Sequence, residues 1–182
     1  MTHISKSYAN KLAIAGELAR LGARAVTISS VARTKPADSR AKYQQLQGKQ
    51  SRSGQTPTDH QWFLFNQERR QHGALLLLIY HKYRDWLDSN PDAHGLAFLL
   101  TYRVYLDAVK VDSAGAEALV SLERFNLLVS KGFPQGWRGI IKEGHTKFFS
   151  DNVKVTICKK CRVHHLAECH YVNYICPSCQ SK

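Results

Sequence analysis

The chain has 182 residues, of which 43% are hydrophobic, and a formal net charge of +12 at pH 7. This length and apolar content are sufficient for one sizeable core and exclude a chain that stays disordered. No apolar run approaches the roughly 20 residues that a membrane span requires. The first residues also lack the continuous apolar segment of a secretory signal, so we expect a cytoplasmic protein without membrane contact.

The positive charge is concentrated at the two ends of the chain. Residues 1–54 hold 10 Lys and Arg against 2 Asp and Glu, and residues 142–182 hold 7 against 3. Residues 55–141 hold 9 of each kind, so the middle of the chain is neutral. A solubility face would not need to leave the middle neutral, whereas contacts with a phosphate backbone place basic residues in particular segments. The charge pattern therefore favours a nucleic-acid-binding protein.

The first 48 residues predict three helices. An apolar stripe runs along residues 4–22, and a shorter helix is predicted at about residues 26–33. Pro36 is tolerated in the first turn of a helix and disfavours helical angles in the residue before it. A third helix is therefore expected to begin near residues 35–36 and to end at Gly48.

The second and third predicted helices have the outline of a helix-turn-helix. Ile28 and Val31 give the first of the pair an apolar edge, and Tyr43 and Leu46 give one to the second. Amphipathic helix pairs with surface lysines occur in proteins of every function, so this interpretation depends on the local net charge of +8 in residues 1–54. In the motif, the N-terminal residues of the second helix enter the major groove. The candidate DNA-contacting residues here are Arg24, Arg33, Lys35, Arg40, Lys42, Gln44 and Lys49.

After a polar linker, the middle of the chain predicts three further helices. They span about residues 65–88, 92–110 and 113–130, and Gly132, Pro134 and Gly136 end the series. Short β-like pieces follow at residues 153–157 and 171–175. The predicted fold is mainly α-helical with a small C-terminal β region, which two Cys-x-x-Cys pairs at residues 158–161 and 176–179 mark as a zinc ribbon. We expect a basic DNA-binding region at 1–48, a linker at 49–61, a helical core and partner-binding region at 62–136, and the zinc region at 137–182.

Two of the predicted helices have almost no polar face. The segment 74–80 reads ALLLLIY, and the helix that contains Leu96–Val109 is apolar on nearly every side. A helix that is apolar all round is buried on all sides. Either these helices lie between the others in the core, or they form a large interface with another subunit.

The strongest chemical motif is a pair of Cys-x-x-Cys sequences near the C-terminus. Cys158 and Cys161 form the first pair, and Cys176 and Cys179 form the second after 14 intervening residues. Two such pairs complete the tetrahedral thiolate shell of a structural Zn²⁺, and four protein ligands leave no open position for catalysis. We predict one structural Zn²⁺ per chain. Cys169, His164, His165 and His170 lie between the pairs and are interpreted as bystanders.

Paired cysteines also occur in sites other than structural zinc sites. A redox dithiol is expected near a βαβ pattern, which is absent here, and needs only one pair. An iron–sulfur cluster is the second alternative. A zinc-dependent nucleic-acid deaminase also needs a His-x-Glu sequence, which this chain lacks. We therefore predict that the protein is not an enzyme.

Several motifs resemble the FlhC family of flagellar transcriptional activators. They are Glu17-Leu-Ala-Arg-Leu-Gly-Ala-Arg24, Tyr43-Gln-Gln-Leu-Gln-Gly48, Asp59-His-Gln-Trp62-Phe63, Thr101-Tyr-Arg103-Val-Tyr105-Leu106 and the two cysteine pairs. Their order and spacing carry the resemblance over most of residues 10–180. The chain differs in ending three residues after Cys179, in its strong basic charge, and in extra sequence between Leu128 and Cys158.

The resemblance implies a DNA-binding subunit of a larger activator. Members of the family bind zinc, assemble with the small helical protein FlhD as two FlhC with four FlhD, bind promoter DNA and recruit RNA polymerase. By resemblance, Cys158, Cys161, Cys176 and Cys179 are the zinc ligands and residues 26–48 contact DNA. The relatives SetC and AcaC resemble FlhC but act on the transfer genes of conjugative elements, so the flagellar and conjugative alternatives stay open.

The C-terminal basic residues Lys159, Lys160 and Arg162 are further candidates for phosphate contacts from the zinc ribbon. The charge argument applies to RNA as well as to DNA. A zinc-ribbon protein associated with RNA or the ribosome is therefore the main alternative function.

Overall fold

The computed structural model describes residues 6–109, 118–131, 153–168 and 170–181, and the ends of the predicted series at Gly132, Pro134 and Gly136 lie outside them. Its helices are α1 (Lys6–Arg20), α2 (Ala25–Ala32), α3 (Pro36–Gln47), α4 (Gln67–Trp86), α5 (Ala93–Ala108), α6 (Leu122–Lys131) and α7 (Pro177–Gln180), with a 3₁₀ turn at Gln61–Leu64. Strands β1 (Val153–Ile157) and β2 (His164–Glu168) pair antiparallel. The predicted class, mainly helical with a small C-terminal β unit, is confirmed. Within the described ranges, none of the helices combines the length and the apolarity needed to cross a membrane.

The N-terminal helices lie where the sequence predicts them. Helix α2 ends at Arg33, whose backbone is left-handed with φ 55°, and α3 begins at Pro36. Gly48 ends α3 with φ 67°, and its N–H donates to the carbonyl of Gln44. This is the left-handed C-terminal cap that glycine adopts without steric cost.

Helices α4 and α5 form the centre of the core. None of the first ten residues of α5 is exposed, which agrees with the core interpretation of this apolar helix. Phe98 of α5 stacks on Phe125 of α6 with ring centroids 4.3 Å apart. On α4 the burial is less complete, since Leu75 is 36% exposed and Trp86 is 75% exposed.

The helix predicted at 113–130 is shorter than expected. Residues 110–117 lie outside the described ranges, and residues 118–121 are not helical. Two tyrosines of α5 hold the backbone at Val120 instead: its N–H donates to Tyr105 Oη at 3.2 Å, and its carbonyl accepts from Tyr102 Oη at 3.0 Å. These buried bonds replace helical ones, so α6 begins only at Leu122.

One β prediction is confirmed and the other is wrong. Strand β1 occupies Val153–Ile157 as predicted, but its partner is His164–Glu168 and not residues 171–175. The first cysteine pair supplies the tight turn between the strands, so the partner strand follows it at once. Residues 171–175 instead run beside that turn, where the carbonyl of Tyr174 accepts from Lys159 N at 2.9 Å.

The hairpin packs directly on α4 and shares its core. Val153, Val155 and Leu166 are buried in the same apolar cluster as the helices. Gly73 of α4 makes this approach possible, because a Cβ there would lie 2.6 Å from Leu166 Cδ1 and 3.0 Å from Phe63 Cδ1. The strand can therefore lie against α4 only where the helix carries no side chain.

We predict that Gly73→Ala destabilises the protein. Alanine favours helix over glycine by about 1 kcal/mol, but the buried Leu166 side chain must shift, and such overpacking costs about 1–3 kcal/mol. Urea unfolding should show a lower midpoint. Gly16→Ala is the matched control, because the nearest atom to its Cβ is the flexible Lys42 Cε at 3.5 Å. A midpoint that rises equally in both variants would contradict the close approach at Gly73.

Candidate functional site

Four cysteines meet at the end of the hairpin. The sulfur atoms of Cys158, Cys161, Cys176 and Cys179 all lie within 4.8 Å of one another. All four are free thiols, and Cys161 Sγ lies 3.8 Å from Cys176 Sγ. A tetrahedral Zn²⁺ with bonds of about 2.3 Å separates its sulfur ligands by about 3.8 Å. The sulfur positions therefore fit one tetrahedral metal ion.

Each cysteine pair is shaped by a local turn. Cys158 follows β1; its N–H donates to Val163 O, and its carbonyl accepts from Arg162 N, both at 3.0 Å. Cys176 precedes the short helix α7, and Cys179 N donates to Cys176 O at 2.8 Å. Both turns bring the second cysteine of the pair back beside the first.

The surroundings of Cys158 and Cys176 shift the pKa values of these two thiols in opposite directions. Burial alone would raise the pKa of Cys158, but the backbone N–H groups of Cys176, Cys161 and Lys160 donate to its sulfur, and its pKa falls to about 6. Burial raises the pKa of Cys176 to about 12. The backbone donors therefore favour the thiolate form of Cys158, whereas burial disfavours the thiolate form of Cys176.

The nearby histidines do not join the sulfur cluster. Among the described residues, the group within ligating distance consists of the four cysteines. His165 is fully buried and packs against Tyr174 with ring centroids 5.4 Å apart, while His170 is exposed. Cys169 lies outside the described residues.

One face of α4 attaches the cluster to the helical core. Ser178 lies between the two cysteines of the second pair. Gln67 Oε1 accepts hydrogen bonds from Ser178 N at 2.9 Å and from Ser178 Oγ at 2.8 Å. One turn later, Arg70 forms a two-pronged ion pair with Glu168 of β2 at 2.8 and 2.9 Å. The Arg70 guanidinium holds the pKa of Glu168 below its ordinary value. With Gly73, these residues place three contacts at helical spacing along α4.

Sequence reasoning missed this face of α4. Gln67, Arg70 and Gly73 are separated by three residues each, and a glycine in the middle of an otherwise strong helix is the visible signal. The partners of these residues lie about a hundred positions away. Only the folded chain identifies them.

The turn between α2 and α3 is fixed by buried hydroxyl groups. Thr34 Oγ1 and Ser39 Oγ lie 2.7 Å apart, and Ser29 Oγ donates to Thr34 O at 2.7 Å. From α1, Tyr8 Oη donates to Asp38 and accepts from Lys35 N at 3.0 Å. These bonds fix the angle at which α3 leaves the turn.

The exposed surface of α3 carries two of the residues that the sequence predicts to contact DNA. Ser39 and Tyr43 are buried against the other helices, and the next residues, Arg40 and Gln44, lie about 100° further round the helix and are exposed. Ala37 and Ala41 lie beside them, and their small side chains add little bulk to this exposed surface of the helix.

The other candidate residues have different environments. Arg33, Lys35 and Lys49 are exposed, and Lys42 is half-buried with its Nζ donating to Gln45 Oε1 at 3.3 Å. Lys159, Lys160 and Arg162 are exposed beside the cysteines, and Lys160 Nζ donates to Cys179 O at 2.8 Å.

Arg24 has a structural role. Its guanidinium donates to Gly54 O at 2.6 Å and to Gln55 O at 3.3 Å, and so holds the linker against the start of α2. The sequence does not reveal this contact, because carbonyl acceptors leave no compositional signal.

Comparison with known proteins identifies the family. Residues 3–135 match the family model described as flagellar transcriptional activator (FlhC). No curated protein matches the chain. The matched range contains α1 to α6 and ends before the cysteine hairpin, so it is the geometry of the four cysteines themselves that indicates that they could hold a metal ion. Because the match covers most of its length, the chain belongs to the FlhC family of flagellar transcriptional activators.

Proposed function

We propose that the chain is the DNA-binding subunit of a cytoplasmic transcription activator and reads promoter DNA with α3. The observation that carries this proposal is the outward face of α3, where Arg40 and Gln44 are exposed on a helix fixed by a short turn. Arginine pairs with guanine and glutamine with adenine through two hydrogen bonds in the major groove. The family is one of transcriptional regulators rather than of enzymes.

Exposed basic residues around α3 are suited to hold the phosphate backbone. Arg33 and Lys35 flank the turn, and Lys49 follows the end of α3. Lys42 is half-buried and can contribute only with its terminal amine. The lysines and arginine of the first cysteine turn, Lys159, Lys160 and Arg162, supply a second group of phosphate contacts. Arg24 is not part of this surface, because linker carbonyls bind its guanidinium.

The metal ion is Zn²⁺, one per chain, with a structural role. Four thiolates without an oxygen or nitrogen ligand favour zinc over magnesium or calcium, and the closed shell holds the hairpin and α7 together. When bound, zinc supplies the charge that keeps all four sulfurs ionised. The ordered hairpin and α7 then contact α4 through the bonds of Glu168 to Arg70 and of Ser178 to Gln67.

The activator contains a second, helical subunit of the FlhD type and recruits RNA polymerase. By family resemblance, two copies of this chain assemble with four partner chains. Apolar side chains left on the outer surface, including Leu75, Val104 and Trp86, support a partner interface on α4 and α5. The promoters are flagellar or belong to conjugative-transfer genes.

Binding to RNA is the second candidate function. The same basic charge would attract RNA, but a slim exposed helix with Arg40 and Gln44 suits the major groove of duplex DNA. The major groove of an RNA helix is too deep and narrow for side chains to read. The observation on α3 therefore favours DNA.

We predict that Cys158→Ser loses the metal and that Cys169→Ser retains it. Serine removes one of four sulfurs, and at such sites metal-binding energy is folding energy, so residues 153–181 should also become sensitive to protease. Elemental analysis should find about one zinc per chain in the wild type and in Cys169→Ser. Full zinc content in Cys158→Ser would contradict the ligand assignment.

We predict that Arg40→Ala weakens binding to a duplex selected from a random library by about 1–3 kcal/mol and changes binding to random duplexes little. Lys49→Ala is the control for a phosphate contact. It should weaken both duplexes equally and reduce the salt slope by about one. Binding is measured by salt titration with bulk RNA as competitor.

If Arg40→Ala and Gln44→Ala leave both affinities unchanged, α3 does not read DNA. Labelled selected duplex can be competed with bulk RNA or with unlabelled selected duplex. If the two competitors are equally effective, the RNA alternative replaces the proposal.

A further inference from the structure

The indole of Trp62 lies against two guanidinium groups. The Cζ atom of Arg69 is 4.2 Å from the centroid of the Trp62 ring, and the Cζ atom of Arg124 is 4.1 Å from it. Arg69 also lies 4.9 Å from the ring of Phe65, which is 78% exposed. We name Trp62, Arg69 and Arg124 the Trp62 cluster. It joins the 3₁₀ turn, α4 and α6, and brings together two cations from the part of the chain that has no net charge.

The two guanidiniums have no ion-pair partner in the described part of the chain. The neighbouring carboxylates bind backbone groups: Glu123 Oε1 accepts from Arg24 N at 3.0 Å, and Asp59 Oδ1 accepts from Gln61 N at 2.8 Å. Burial and the charge of Arg69 lower the pKa of Arg124, while Asp59 offsets this only in part. Two like charges held at one aromatic ring are stabilised by an anion between or beside them.

The Trp62 cluster lies beside the start of the helix-turn-helix. An open polar cleft is lined by Arg24, by the loop at residues 55–59, which includes Asp59, and by Ser121, Glu123 and Arg124. Arg24 occupies the position directly before the first residue of α2. In this motif the first helix of the pair crosses the phosphate backbone, so the region beside the start of α2 faces the duplex next to the bases that α3 reads.

We propose that the Trp62 cluster binds the phosphate backbone of the duplex beside the α3 site, an inference that rests on the proposed DNA binding. Guanidinium groups present a fork of donors that matches phosphate oxygens, and stacking on an aromatic ring fixes the plane of that fork. Trp62 thus orients both arginines before the duplex arrives. The cluster adds affinity without sequence preference, since phosphates carry no base information.

The test is a salt titration of the full-length, zinc-loaded chain carrying Arg69→Gln and Arg124→Gln together. Each lost phosphate contact reduces the slope of log affinity against log salt by about 0.9. We expect the slope to fall by about two, with equal losses on the selected and random duplexes on the order of tenfold or more at 0.1 M salt. The control, Lys82→Gln with Arg103→Gln, removes the same charge from exposed positions of α4 and α5 and should leave the slope near the wild-type value.

Thermal melting of both double variants separates a binding defect from unfolding. If the variant with Arg69→Gln and Arg124→Gln has a lower melting temperature than the control, the single variant Arg124→Gln is used instead. For this single variant the salt slope should fall by about one. A slope equal to that of the control in a folded variant would overturn the phosphate site. In that case Arg40→Ala would still weaken binding to the selected duplex and change binding to random duplexes little, so the proposed function would stand. If the wild-type chain binds no duplex at all, the proposed function itself fails.

Discussion

The contact on which the structure depends most is the one between the cysteine hairpin and α4. Gly73 removes the side chain that would otherwise collide with Leu166, so the strand lies directly on the helix. Arg70 then pairs with Glu168, and Gln67 binds the turn that carries the second cysteine pair. A two-stranded hairpin is marginal in water by itself. Docking on α4 stabilises this short segment from one side, and a metal ion held by the four sulfurs would stabilise it from the other.

The order established at α4 reaches the proposed DNA-reading helices through α5. Gly95 permits another close approach, since a Cβ there would lie 3.3 Å from Ile14 of α1 and from the carbonyl of Val31 in α2. Helices α1 and α2 in turn fix α3 through Tyr8 and the hydroxyl groups of the turn. Packed helices transmit displacement because protein interiors are close-packed. The metal centre, the core and the exposed face of α3 thus belong to one connected set of contacts.

The sequence predicts the local features well and the long-range ones poorly. Pro36 and Gly48 bound α3 because their backbone preferences act locally, and the four cysteines are recognisable by spacing alone. The sequence pattern predicts a β-like piece at 171–175 and misses the strand at 164–168, because β propensity does not reveal that the first cysteine pair itself forms the hairpin turn. The pattern also predicts too long a helix before residue 131, because it does not show that Tyr102 and Tyr105 of α5 bind the backbone of Val120. The contacts of Arg24 and of the Trp62 cluster cannot be predicted from the sequence either, since the partners of these residues lie in other elements.

Amide hydrogen exchange with and without bound metal tests most directly whether the metal centre supports the helical core. Removing the metal with a chelator should increase exchange in β1, β2 and the first half of α4, because the hairpin that covers Gly73 loses its order. Exchange in α3, which is held by local hydroxyl bonds and α1, should change least. The account is contradicted if the increase is confined to residues 153–181 and α4 remains as protected as in the metal-bound protein.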